Sequence, residues 1–138
     1  MTDLEKAKGL LAAHTCVLCR GKAVYASTKT GIAPMLDWIS DGAALNGFSA
    51  ADKIVGKAAA LLFVYAGIEA VFGEVISEAG LAVLKAHRIP CSYGVCVPYI
   101  INRTGSGMCP MEETVQDIRD PAAALTALIK KRDELRKG

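Results

Sequence analysis

Ile68-Glu69-Ala70-Val71-Phe72-Gly73-Glu74-Val75-Ile76-Ser77 is the stretch on which the fold turns. Its β-branched and aromatic residues, placed after Gly67, read as a strand ending near Ile76. Ser77 has the short polar side chain that caps a helix, and Leu81, Val83 and Leu84 carry an apolar stripe toward Arg88. A second strand follows at Cys91-Ser92-Tyr93-Gly94-Val95-Cys96-Val97. Strand, helix and strand in succession demand a parallel pair joined by a right-handed crossover.

Working outward, the chain before Gly67 is expected to be helical over roughly 50–66, the most hydrophobic segment. Ser49-Ala50-Ala51-Asp52 resembles a capping box with Asp at its last position. Gly56, Ala58, Ala59 and Ala60 leave little side chain on one side, so the backbone can approach a sheet. Residues 31–41 suggest a short helix opened by Gly31-Ile32-Ala33-Pro34 and stopped by Asp41-Gly42. Thr15-Cys16-Val17-Leu18-Cys19 and Lys22-Ala23-Val24-Tyr25-Ala26-Ser27, around Arg20-Gly21, read as a β-hairpin. Leu4, Ala7, Leu10 and Leu11 make residues 3–12 an amphipathic helix. After Val97, Pro98 argues against an uninterrupted central strand through Tyr99-Ile100-Ile101, and residues 103–108 form a glycine-rich loop. Helices are expected over about 110–118 and 121–136, the second with Pro121 in its first turn. A hairpin is antiparallel and the βαβ unit parallel, so the class is α/β with a mixed sheet covered on both faces. No repeat or linker divides the chain, and residues 1–138 are read as one domain.

Composition narrows the functions. Aromatics are only 6% of a chain that is 52% hydrophobic, so the core must be aliphatic. The net charge of +2 is too balanced for a nucleic-acid footprint. Lys130-Lys131-Arg132-Asp133-Glu134-Leu135-Arg136-Lys137 mixes both signs, as the solvated end of a helix does. The apolar run 58–67 is about half a membrane span. The start of the chain is charged and shows no signal peptide, so a cytoplasmic location with five free cysteines is expected.

The order of elements resembles the cytidine-deaminase fold. There a hairpin precedes a helix carrying H-x-E, and a later helix opens with P-C-x-x-C. More closely, three segments resemble the DUF1893 family: Gly31-Ile32-Ala33-Pro34-Met35-Leu36, Asp52-Lys53-Ile54-Val55-Gly56-Lys57-Ala58-Ala59-Ala60, and Asn102-Arg103-Thr104-Gly105 on to Cys109-Pro110-Met111-Glu112. The likeness spans roughly residues 3–120. It implies a three-layer α/β/α domain with an N-terminal hairpin and extra C-terminal helices.

Zinc deamination needs a His or Cys, two Cys thiolates and a Glu. Neither His14 nor His87 begins H-x-E, and Ser77 and Gly80 stand where the resemblance would place the cysteines. The C-x-x-C of Cys16 and Cys19 lies on a strand, where its side chains point to opposite faces, and Cys91 and Cys96 are read in the same way. No metal site and no cofactor are expected.

Ligands of open α/β sheets sit at the carboxyl ends of the parallel strands. Lys53 and Lys57, read as i,i+4 partners on one helix, are candidates there, with Asp52, Ser77, Glu78, Gly105, Gly107 and Glu112. Lysines beside helix N-termini favour an anion such as a phosphate. By fold analogy that anion belongs to a nucleotide-related small molecule. Cys109, ahead of Pro110 at a helix start, is the candidate nucleophile or redox-sensitive thiol, with Glu112 one turn on to accept a hydrogen bond or oppose a thiolate. Asp52 and Glu78 are further candidates for metal-independent chemistry, which leaves open whether the protein is an enzyme. A third reading is a homo-oligomer of structural or regulatory role, since proteins of this fold commonly pair through helices. No membrane partner is expected.

Overall fold

The computed structural model describes residues 1–102 and 104–137. Thr2 caps the first helix, α1 (Asp3–Leu10), by accepting from Glu5 N–H, and a 3₁₀ turn, Leu11–Ala13, follows. The hairpin is present as β1 (Cys16–Arg20) and β2 (Ala23–Ser27). Next come α2 (Ala33–Ser40), β3 (Ser49–Val55), α3 (Lys57–Ala66), β4 (Ala70–Ser77), α4 (Glu78–Ala86) and β5 (Cys91–Val97). The chain closes with α5 (Pro110–Thr114) and α6 (Pro121–Lys137).

One sheet runs in the order β2-β1-β3-β4-β5. β1 is antiparallel to β2 and β3, while β3, β4 and β5 are mutually parallel, so the sheet is mixed as expected. Two clusters separate its faces. Ala7 and Leu11 cover Val17, Cys19 and Ala51 on one side, with Lys8 over the Phe72 ring at 4.3 Å. On the other, Met35 and Leu36 of α2, residues 58–63 of α3, Leu84 of α4 and Leu128 of α6 enclose Leu18, Ala50, Val71 and Ile76. The result is a three-layer α/β/α arrangement. No helix among the described residues is long and apolar enough to cross a membrane.

The main correction concerns residues 49–55. The expected helix over 50–66 is a strand followed by a helix, and Ser49 does not cap anything. Ser49-Ala50-Ala51-Asp52 is buried throughout, because β3 lies mid-sheet with helices on both faces. Such a strand shows no alternation, and its alanines gave a helical impression. The chain therefore has three parallel strands rather than two. A second correction concerns Cys91 and Cys96, which both pack against the α2–α4 side core rather than facing opposite sides. Cys16 and Cys19 do divide between the faces.

Candidate functional site

The parallel strands end where α3 and α4 begin. Ser77, fully buried, caps α4 by accepting from Gly80 N–H at 3.0 Å. Gly80 lies so close to the backbone of Val55 and Gly56 that a Cβ there would stand 2.9 Å from the Val55 carbonyl oxygen. The two helix starts are thus pressed together.

α3 opens differently. Its N-cap is Gly56, which has no side chain to offer. The cap comes instead from Glu112 of α5. Its Oε1 accepts from Lys57 N–H at 2.7 Å and its Oε2 from Ala58 N–H at 2.8 Å. A Cβ on Gly56 would collide with that carboxylate, so the glycine makes room for it. The end of a helix favours an anion because its first N–H groups lack intrahelical partners. Here the chain's own Glu112 fills that place, nine-tenths buried.

Glu112 borders two hollows. The smaller, of about 160 Å³, is lined by Lys57, Ser77, Tyr99, Glu112 and Gln116 among others. The larger is an open cleft of about 740 Å³ between α2, α3, the residues Ile100, Ile101, Asn102 and Thr104, α5 and α6. Ile32, Leu36, Ile54, Ile100, Ile101 and Met111 make it predominantly apolar. Its polar edge includes Thr30, Asn102, Thr104 and Arg132, with Cys109 beside Pro110. Ile54 is 50% exposed here, on a strand whose other apolar residues are buried. The volume lies within the range of about 300–1,000 Å³ usual for small-molecule sites.

The sequence matches the family model TM1506, a domain of unknown function (DUF1893), over residues 7–131. The chain belongs to the DUF1893 family. A DUF1893 family protein of known crystal structure, TM1506 from Thermotoga maritima, is similar with a TM-score of 0.85 at 24% identity. The match covers 95% of this chain and 91% of that one, and at this identity it speaks for the fold alone. No curated protein matches the chain.

In this DUF1893 protein the sequence candidates are divided. Lys57, Ser77 and Glu112 meet at the small hollow. Lys53 is not on a helix with Lys57; it lies on β3, its N–H bonded to the Thr15 carbonyl, while Lys57 is the first residue of α3 and donates its Nζ to the Gln116 carbonyl. Glu78 is exposed at the start of α4. The loop expected over 103–108 includes Arg103, which lies outside the described residues. Its N–H groups are not open donors throughout: Gly105 N–H bonds the Asn102 carbonyl and Ser106 N–H the Asn102 Oδ1. Gly105 and Gly107 border neither hollow.

Cys109 precedes α5, which has only five residues, and its side chain makes no capping bond. Glu112 is held at α3 and so is not free to oppose it. Asp52 sits opposite Cys16 in the β1–β3 ladder, away from both hollows. Burial pushes its carboxyl up to about 7, against the pull of the Ile54 N–H at 3.3 Å. Burial, then the Asp52 carboxylate, push the Cys16 thiol well up, which makes it a poor nucleophile. His87 is the C-cap of α4, a structural position. Among the described residues no three His, Cys, Asp or Glu side chains gather as metal ligands would.

The residues that sequence reasoning missed are the cleft's own. Ile32, Ile54, Ile100 and Ile101 are scattered over the chain and carry no shared motif. Arg132 had a readable signal: it falls four residues after Leu128 and eight after Ala124, on the buried stripe of α6.

Proposed function

We propose that this DUF1893 protein binds a small, largely apolar molecule in the cleft between α2, α3, α5 and α6. The observation that carries the reading is the cleft itself: about 740 Å³ walled mainly by aliphatic side chains, with its few polar groups at the rim. Aliphatic surface left open to water is unfavourable by about 25 cal/mol per Å². A ligand that covers it recovers that term.

A phosphate-bearing, nucleotide-related ligand is the reading expected from lysines and helix N-termini. Its best support is the meeting of Lys57 and Ser77 at the strand ends. Against it, Glu112 occupies the N-terminus of α3, and the hollow there is small. The sheet order and the helices between parallel strands are compatible with a deaminase-like architecture, and we take no chemistry from that likeness. Chemistry at Cys109 is a separate reading, supported by its place on the cleft wall.

The test is titration of the full chain with Nile red, a neutral apolar dye, followed by fluorescence. Saturable binding is expected. Ala33→Trp, which puts an indole into the cleft from the first turn of α2, should weaken it about tenfold or more, the equivalent of ~1.4 kcal/mol. Circular dichroism checks that this variant folds. Failure of the wild type to bind, or equal binding by a folded Ala33→Trp, contradicts the reading.

A further inference from the structure

Among the described residues that line the cleft, Arg132 is a cation in an unusual setting. Arg132 stands on the same face of α6 as the fully buried Ala124 and Leu128, and its side chain is 17% exposed. Two carboxylates form ion pairs with it at the long end of the range. Asp37 Oδ1 lies 3.8 Å from Nη1, and Asp133 Oδ1 lies 3.5 Å from Nε. Asp37 is itself drawn closer to Lys29, at 2.6 Å. Arg132 Nε is buried and has no hydrogen-bond partner. A guanidinium carries five N–H donors in a planar fork, and a buried donor left unpaired keeps its full desolvation penalty. The position therefore suits an acceptor that the chain does not supply.

We propose that the cleft takes an amphipathic monocarboxylate, its apolar body lying among Ile32, Ile54, Ile100 and Ile101 and its carboxylate on the Arg132 fork. This rests on the cleft being a ligand site, and it names the class of ligand. A carboxylate matches the fork in a bidentate pair. Among the described residues the charge balance opposes two added negative charges more than one. Glu112 already places a fixed carboxylate in the wall, and Asp133 and Asp37, the latter paired with Lys29, stand beside Arg132. A phosphate monoester, with a charge near −2 at neutral pH, would add a second charge against them. At the rim, Asn102 Oδ1 accepts from Ser106 N–H and from the Thr104 hydroxyl, so those groups are spent within the loop.

Three probes with the same ten-carbon chain separate the possibilities: decanoate, 1-decanol and decyl phosphate. Each is titrated by calorimetry, below micellar concentration, into the full chain. The comparison variants are Arg132→Gln, Arg132→Lys and, as a control outside the cleft lining, Arg136→Gln. Wild type should bind decanoate about tenfold more tightly than either other probe. Arg132→Gln should abolish that preference while leaving decanol affinity within about twofold, because decanol uses only the apolar wall. Arg132→Lys, which keeps the charge but not the fork, should fall between, and Arg136→Gln should match wild type. Equal wild-type affinity for decanoate and decanol overturns the carboxylate inference yet leaves the cleft a ligand site. Tightest binding of decyl phosphate overturns it in favour of a phosphate group. Binding of none of the three overturns both the inference and the cleft reading. These arms use wild type alone, so they hold even if an Arg132 variant fails to fold.

Discussion

On one side of Glu112 lies a small hollow of mixed lining at the strand ends, and on the other a broad apolar cleft. The first has the features by which anion sites are recognised in open α/β sheets: parallel strand ends, two helix starts, a lysine and a serine. Yet each of those features is already used. Ser77 caps α4, Glu112 caps α3, and Lys57 reaches the Gln116 carbonyl. The cleft shows no lysine among its described lining residues, yet it leaves apolar surface open and an arginine nitrogen unpaired.

The largest effect expected on this contrast comes from removing its divider. Glu112→Ala strands the part-buried N–H of Lys57 and the buried N–H of Ala58 and should cost about 2–6 kcal/mol, at ~1–3 kcal/mol per unpaired group. Glu112→Gln keeps one carbonyl acceptor and should cost roughly half as much. Urea unfolding measures both. If Glu112→Ala lost less than about 0.5 kcal/mol, the cap would not be structural and the α3 N-terminus would be open to an outside anion.

Asp52 provides a smaller effect with a definite pH signature. Its folded carboxyl titrates near 7, above the ordinary value of ~3.9. Below about pH 4 both folded and unfolded chains hold the proton, and Asp52 imposes no penalty. As pH rises toward 7 the unfolded chain releases the proton first, so wild-type stability falls; above 7 the penalty is complete. Asp52→Asn cannot ionise. It should match wild type near pH 4 and exceed it by on the order of 4 kcal/mol at pH 8. A constant difference across that range would mean that the carboxylate is solvated, and it would then belong with the candidate site groups rather than the core.

The smallest effect tests the small hollow directly. Lys57→Ala removes one exposed bond to a carbonyl and should cost only about 0.5–1 kcal/mol. It should leave inorganic phosphate as weakly bound as before. Tight phosphate binding by wild type, lost in this variant, would reverse the ranking of the two regions.

Much of the frame was legible from the sequence. The hairpin needed only Arg20-Gly21 between two apolar runs, and the βαβ unit had both its strands and the Ser77 cap in view. β3 was not legible, because a strand buried on both faces has no alternating pattern and Ser49-Ala50-Ala51-Asp52 favours helix locally. That one misreading put Lys53 and Lys57 on a common helix face and so built an anion site that the fold divides. Glu112 was visible as a candidate, but its role was not. It acts on N–H groups 55 and 54 residues away in the chain. The only local trace of that is Gly56, a cap position without a side chain. Arg132 was taken with its charged neighbours as solvated, although its spacing from Leu128 placed it on the buried face.

The most direct measurement is methyl and amide NMR of the full chain, titrated first with 1-decanol and then with inorganic phosphate. Saturable shifts of the Ile32, Ile54, Ile100 and Ile101 methyls with decanol, and still amides at Lys57 and Ser77 with phosphate, are the result expected. Quiet isoleucine methyls together with saturable shifts at Lys57 and Ser77 would contradict the account and return the ligand to the strand ends.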